Sequence, residues 1–242
     1  MNASAAGSLL HVDGLTKRFG QTLAVDRLTF DVARGEVVGL LGPNGAGKTT
    51  AFLCLCGLLR PDVGTILFGD RRLGGDRGRT ISLIPETPDV YPMLTVWEHL
   101  AFVAASARLG PGWEPRANDL LARFGLSAER DTVGGSLSKG MRQKTLIAAT
   151  VLANTPVLLF DEPTIGLDPR GQRELRTLIG DLAADGTSIL ISTHLIESTA
   201  TLCDRIIILK KGVTVAQGAV AELRANGDAH RTLEDVFLEI TA

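Results

Sequence analysis

Eight consecutive residues, Gly42-Pro43-Asn44-Gly45-Ala46-Gly47-Lys48-Thr49, match the pattern GxxxxGK[ST] at every position. No other feature restricts the fold as much, because such a run works only between a strand and a helix. Both flanks are present. Val37 to Leu41 is apolar throughout rather than alternating, which predicts a strand buried on both faces. Residues 48–59 follow as a helix, stopped by Arg60-Pro61. Glycines let the backbone curl until several N–H groups face one anion, and the helix adds the positive end of its dipole. Lys48 supplies a compact charge for the β- and γ-phosphates, and Thr49 a hydroxyl for Mg²⁺. Gly42 through Thr49 are therefore read as nucleotide-binding, together with Thr50 in the first turn of the helix.

The rest of the chain has to supply a sheet for that strand. From Leu9 to Leu41 short β-rich stretches alternate with turns, and Gly64–Phe68 and Thr80–Ile84 read as further strands around a Gly-rich hairpin, GGDRG. Residues 95–145 change character and become mostly helical, with Thr95 as an N-cap and a loop at 110–115. Three more buried strands are expected at Val157–Phe160, Ser188–Ser192 and Arg205–Leu209, separated by helices at 170–184 and 195–202. Strands alternating with helices imply an α/β sheet with parallel strands. The tail at 233–242 reads as a short amphipathic helix, and residues 1–8 as a flexible N-terminus.

Two of the strand ends carry chemistry. Val157 to Phe160 runs into Asp161-Glu162-Pro163. Neighbouring residues on a strand point to opposite faces, so the two carboxylates are expected to do different work. Asp161 is the natural partner of Mg²⁺, and Glu162 is left to polarise an attacking water as general base. His194 follows the apolar run SILIST at a strand's C-terminal end, the edge where ligands bind in open α/β sheets. His11, His99 and His230 have no such context and are read as structural.

The chain is 45% hydrophobic with a formal net charge of −2, so a packed core is expected and nucleic acid is not expected as a partner. Cys54, Cys56 and Cys203 lack the spacing of a zinc site and read as small buried apolar residues in a reducing compartment. No run reaches the roughly 18 apolar residues of a membrane span, and no signal peptide is apparent. A cytoplasmic location is the expectation.

In this order the motifs resemble the nucleotide-binding subunit of ATP-binding cassette (ABC) transporters, over about residues 9–240. The diagnostic element is the signature segment Leu137-Ser138-Lys139-Gly140-Met141, at the start of the helix RQKTLIAATVLA. The resemblance implies a RecA-like P-loop ATPase core with an antiparallel β subdomain (9–85 and 151–240 together with the core) and an inserted α-helical subdomain (about 86–150). It implies ATP and Mg²⁺ as cofactors, and catalytic roles for Lys48, Glu162 and His194. Phe19 would stack on adenine. Glu86 stands where the family usually has a Gln that touches Mg²⁺ beside Thr49 and Asp161. Ser138 and Gly140 would meet the γ-phosphate bound by a second ATP-binding subunit, identical or different, and Asp168 would face that subunit. A separate transmembrane permease, with this chain peripheral at the cytoplasmic face of the cell membrane, completes the implied assembly. Lys139 and Met141 in the signature, Glu86 and the tail LEDVFLEIT resemble exporters of drugs, antibiotics or polysaccharides. An iron–sulfur assembly component and a nucleic-acid-associated cassette stand as alternatives at this level.

Overall fold

The computed structural model describes residues 8–75, 77–194, 202–225 and 237. Its frame is a six-stranded sheet built on the strand expected before the phosphate loop. That strand, β3 (Val37–Leu41), lies between β8 (Ser188–Thr193) and β9 (Arg205–Lys210). Next come β7 (Val157–Asp161) and then β6 (Ile81–Ile84), all parallel, while β10 (Val213–Ala219) closes the other edge antiparallel to β9.

The uninterrupted apolar runs are explained by what covers the two faces. In β3, Val37 and Leu41 join one hydrophobic cluster while Val38 and Leu40 join another. The same alternation divides Leu158 and Phe160 from Val157 and Leu159 in β7, and Ile206 and Ile208 from Ile207 and Leu209 in β9. A period of two thus feeds two cores at once, so polar residues have no face to occupy. One core contains the buried sides of α2 (Val96–Ser106), α3 (Trp113–Arg123), α4 (Lys139–Leu152) and α5 (Pro169–Ala184). The other contains α1 (Lys48–Cys56) and the inner face of a four-stranded antiparallel sheet, ordered β2-β1-β4-β5. Its strands are β1 (Ser8–Phe19), β2 (Thr22–Ala33), β4 (Val63–Phe68) and β5 (Arg71–Arg72).

Local signals were followed closely at α2. Thr95 caps it with a reciprocal capping box, its hydroxyl accepting from Glu98 N–H while Glu98 accepts from Thr95 N–H. Other expectations need correction. Helix α1 ends at Cys56 rather than residue 59, because Gly57 takes a left-handed conformation, φ 90°, that stops it one turn early. The segment GGDRG is no hairpin between its flanking strands: β4 and β6 belong to different sheets, and the chain crosses from one to the other there. The loop expected at 110–115 gives way to helix at Trp113, since Pro115 is tolerated in a first turn. Strand β10 was not foreseen; its alternating exposure marks an edge strand with one wet face. The expected helix at 195–202, except Leu202, and the tail helix, except Phe237, lie outside the described residues, as do residues 1–7 and His230.

The crossing between sheets is secured by Arg77, a buried cation no sequence pattern announced. Its guanidinium donates to the carbonyls of Cys54 and Leu55 at the end of α1, and to Gly74 O. Those carbonyls are among the last of a helix and have no partner within it. His11 and His99 are structural as expected. His11 Nδ1 lies 2.6 Å from Asp31 Oδ1, and His99 accepts from Tyr91 N–H at 2.8 Å while its Nδ1 meets Thr95 O at 2.7 Å. Replacing Arg77 by Ala should lower the stability of the chain by about 2–3 kcal/mol, through the carbonyls left unpaired, and urea unfolding measures it. Burial pushes the Cys54 thiol up to about 11 and the Cys203 thiol up to about 12. Both should resist a thiol reagent at pH 8 in the folded chain and react once it is unfolded, which a colorimetric thiol count would follow.

Candidate functional site

A cleft of about 590 Å³ opens at the C-terminal edge of the parallel strands. Strands β3, β7, β8 and β6 all run toward that edge, so the residues that follow them converge although they are far apart in sequence. After β3 the loop 42–47 supplies Asn44, Gly45, Ala46 and Gly47, and α1 supplies Lys48, Thr49 and Thr50. Glu162 follows β7, His194 follows β8 and Glu86 follows β6. Thr22, Leu23, Ala24, Ile165 and Lys211 complete the lining.

The loop keeps its shape because backbone presses on it from two sides. A Cβ on Gly47, where φ is 102°, would lie 2.2 Å from Ala24 O, and one on Gly42 would lie 2.5 Å from Leu209 O. Gly45, at φ 78°, has open space where a Cβ would stand, so its need for glycine is conformational alone.

Lys48 is buried, and its ammonium donates to Gly42 O at 2.7 Å and Pro43 O at 3.4 Å, folding the side chain back over its own loop. The same Nζ lies 3.7 Å from Glu162 Oε1. His194 Nδ1 approaches that oxygen at 3.0 Å from a half-exposed ring. Glu162 Oε2 is buried without a hydrogen-bond partner among the described residues. One carboxylate thus faces a cation and an imidazole through one oxygen and keeps the other unengaged.

Glu162 reaches this place by a route the alternation argument did not contain. It stands beyond the end of β7 in a left-handed conformation, φ 46°. Its N–H donates to Ser192 O at 3.0 Å and to Ser192 Oγ at 3.2 Å. Ser192 Oγ in turn donates to Asp161 Oδ1. This buried hydroxyl ties the two carboxylate residues together, and sequence reading passed over it. The available signal was a Ser inside an apolar strand, two residues before His194.

The remaining expected site residues do not line the cleft: Gly42 and Pro43 start its loop, Asp161 is buried at the end of β7, and the others stand elsewhere. Phe19, at the end of β1, is 49% exposed, with Lys17 Nζ 5.5 Å from its ring centre, and it does not line the cleft. It is not a core residue. Ser138, Gly140 and Asp168 do not line the cleft either, but the fold gathers them at one place. Ser138 caps α4 by accepting from Met141 N–H, and Asp168 caps α5 by accepting from Gly171 N–H at 3.2 Å. A Cβ on Gly140 would lie 2.8 Å from Gly166 O. Lys144 Nζ lies 3.0 Å from Asp168 Oδ1, and that contact holds the Asp168 carboxyl below its ordinary range.

Among the described residues no helix is long and apolar enough to cross a membrane, and no cluster of three or more His, Cys, Asp or Glu side chains could hold a metal ion.

The family model described as "ABC transporter" matches residues 25–165. The chain is 36% identical over 216 residues to the "Uncharacterized ABC transporter ATP-binding protein YdbJ" of Bacillus subtilis (strain 168), covering 88% of this chain and 70% of that one. It is 37% identical over 221 residues to the "Lipopolysaccharide export system ATP-binding protein LptB" of Acidithiobacillus ferridurans, covering 89% and 92%. A solved structure described as "Structure of ATP binding subunit of ABC transporter" superposes with a TM-score of 0.92 at 34% identity, covering 97% of this chain and all of the other.

The two glycines of the loop should respond differently to a methyl group. Gly45→Ala should lose about 1–2 kcal/mol from the left-handed backbone alone. Gly47→Ala should lose clearly more and bind nucleotide far less well, because a backbone carbonyl blocks it. Thermal unfolding beside a fluorescent-nucleotide titration separates the two.

Proposed function

This chain belongs to the ABC transporter ATP-binding family, and from that premise we propose that it hydrolyses ATP to drive export through a separate membrane permease. The observation that carries the hydrolytic part is the meeting of Lys48, Glu162 and His194 around one carboxylate oxygen in the cleft of the phosphate loop. In this reading the N–H groups of residues 42–50 and the Lys48 ammonium hold the phosphates. Glu162 accepts the proton of the attacking water on its unengaged oxygen, and His194 keeps the carboxylate turned toward the phosphate.

Mg²⁺ fits the donors present, which are hard oxygens: the Thr49 hydroxyl, the Asp161 carboxylate oriented by Ser192, and Glu86 in the cleft lining. When bound there it would neutralise charge on the β- and γ-phosphates. Phe19, exposed beside the cleft's β2 wall, is available to adenine.

Ser138, Gly140 and Asp168 are grouped but absent from their own cleft, which supports their acting on the cleft of a second ATP-binding subunit, identical or different, in a head-to-tail pair. ATP would close the pair and hydrolysis reopen it, a rigid-body motion passed to the permease by the helical lobe and the Glu86 loop. We read residues 9–240 as one ABC domain, with that lobe at about 86–150. Export, and a place at the cytoplasmic face of the membrane, rest on the signature variant and on the export role named for the LptB relative.

Glu162→Gln should still bind ATP, accumulate as a dimer and lose turnover by about 10²–10⁴-fold. Steady-state phosphate release and size-exclusion chromatography with ATP measure the two effects. Turnover equal to the wild type would remove Glu162 from the proposed role.

A further inference from the structure

The cleft contains a cation that the roles above leave unused. Lys211 lines it on the same wall as Thr22, Leu23 and Ala24, and engages in no hydrogen bond or ion pair among the described residues. It occupies the first central position of the two-residue turn between β9 and β10, where Lys210 pairs with Val213. Lys211 has φ 51° and Gly212 φ 82°. Positive φ at both positions is the turn that Asn-Gly fills best. A lysine there accepts backbone strain that asparagine would reduce.

The turn is also held rigidly against the phosphate loop. Gly212 N–H donates to Ala46 O at 2.9 Å, and Asp26 N–H donates to Gly212 O at 2.8 Å. A Cβ on Gly212 would lie 2.8 Å from Ala24 O, so the turn sits in backbone contact with β2. A strained, firmly seated turn therefore places on the wall of a cleft whose ligand is polyanionic a lysine with no ion pair among the described residues.

We propose that Lys211 is a nucleotide-binding residue, its ammonium holding the phosphate–ribose portion of the nucleotide from the wall formed by Thr22, Leu23 and Ala24. The proposal rests on the reading of this cleft as the ATP site. The terminal phosphate must face Glu162, so the Lys211 contact falls on the part of the ligand shared by ATP and ADP. Its strength is that of a partly exposed charge pair, about three- to tenfold in affinity, and it weakens with salt.

The test titrates ATP and ADP into the full chain at two ionic strengths, using wild type, Lys211→Asn, Lys211→Glu and Lys48→Ala. Asparagine suits the left-handed turn, so Lys211→Asn should keep or raise the thermal midpoint of the wild type. It should weaken ATP and ADP by the same three- to tenfold, with a shallower salt dependence, and Lys211→Glu should weaken both further. Affinities within twofold of wild type in both Lys211 variants, beside a wild type that binds and a Lys48→Ala that does not, would overturn the proposal while leaving the ATP site standing. A loss for ATP alone, or one accompanied by a lowered thermal midpoint in both variants, would overturn it as well. A wild type that binds neither nucleotide would overturn the site itself.

Discussion

Everything in the cleft depends on backbone pressing against backbone around residues 42–47. Leu209 O and Ala24 O stand where side-chain atoms of Gly42 and Gly47 would otherwise be. One of those carbonyls belongs to the parallel sheet and the other to the antiparallel one, so the loop is clamped between the two sheets of the molecule. Gly212 adds a third side through its bond to Ala46 O. Such a loop holds its N–H groups in place before any anion arrives, and little order remains to be lost on binding. The two-sheet architecture is in this sense part of the phosphate site.

The second constraint is charge taken out of water. Lys48, Asp161 and Glu162 are all buried. Isolated ions in such places cost several kcal/mol each, so they persist only where partners are supplied. Lys48 is turned onto carbonyls of its own loop and toward Glu162, and Asp161 takes the Ser192 hydroxyl. His194 reaches Glu162 from the solvent side. The same contacts orient these groups for the chemistry proposed, because a carboxylate fixed through one oxygen presents the other in a defined direction. The strained φ of Glu162 belongs to this arrangement: a left-handed residue just beyond the strand lets its N–H reach Ser192 while its side chain enters the cleft.

Away from the cleft, the beginning of α4 and the beginning of α5 form one unit. Gly140 lies against Gly166, and Lys144 holds Asp168. Lys139 lays its stem along Gly166, with Cγ and Cε each 3.5 Å from where a Cβ would be.

Much of this was legible from sequence because it is local. Apolar runs bounded by turn residues marked the buried strands, Thr95 with Glu98 marked a helix start, and the spacing of Gly42 to Thr49 marked the loop and its ligand class. Strand ends in an α/β sheet share one edge, so Glu162 and His194 could be brought to Lys48 before any coordinates. Contacts set by distant segments were not legible. Ser192 reads as one more strand residue until Asp161 and Glu162 lie beside it. Arg77 reads as a loop cation until the end of α1 needs donors, and Lys211 as a surface lysine until its turn lands on Ala24 and Ala46. The sequence by itself determined the buried parallel strands, the phosphate loop and the residues at the strand ends, since periodicity and spacing are properties of neighbours along the chain. Only the tertiary structure decided which backbone presses on the glycines and which side chains share a carboxylate, because those depend on how two sheets from distant stretches of chain pack together.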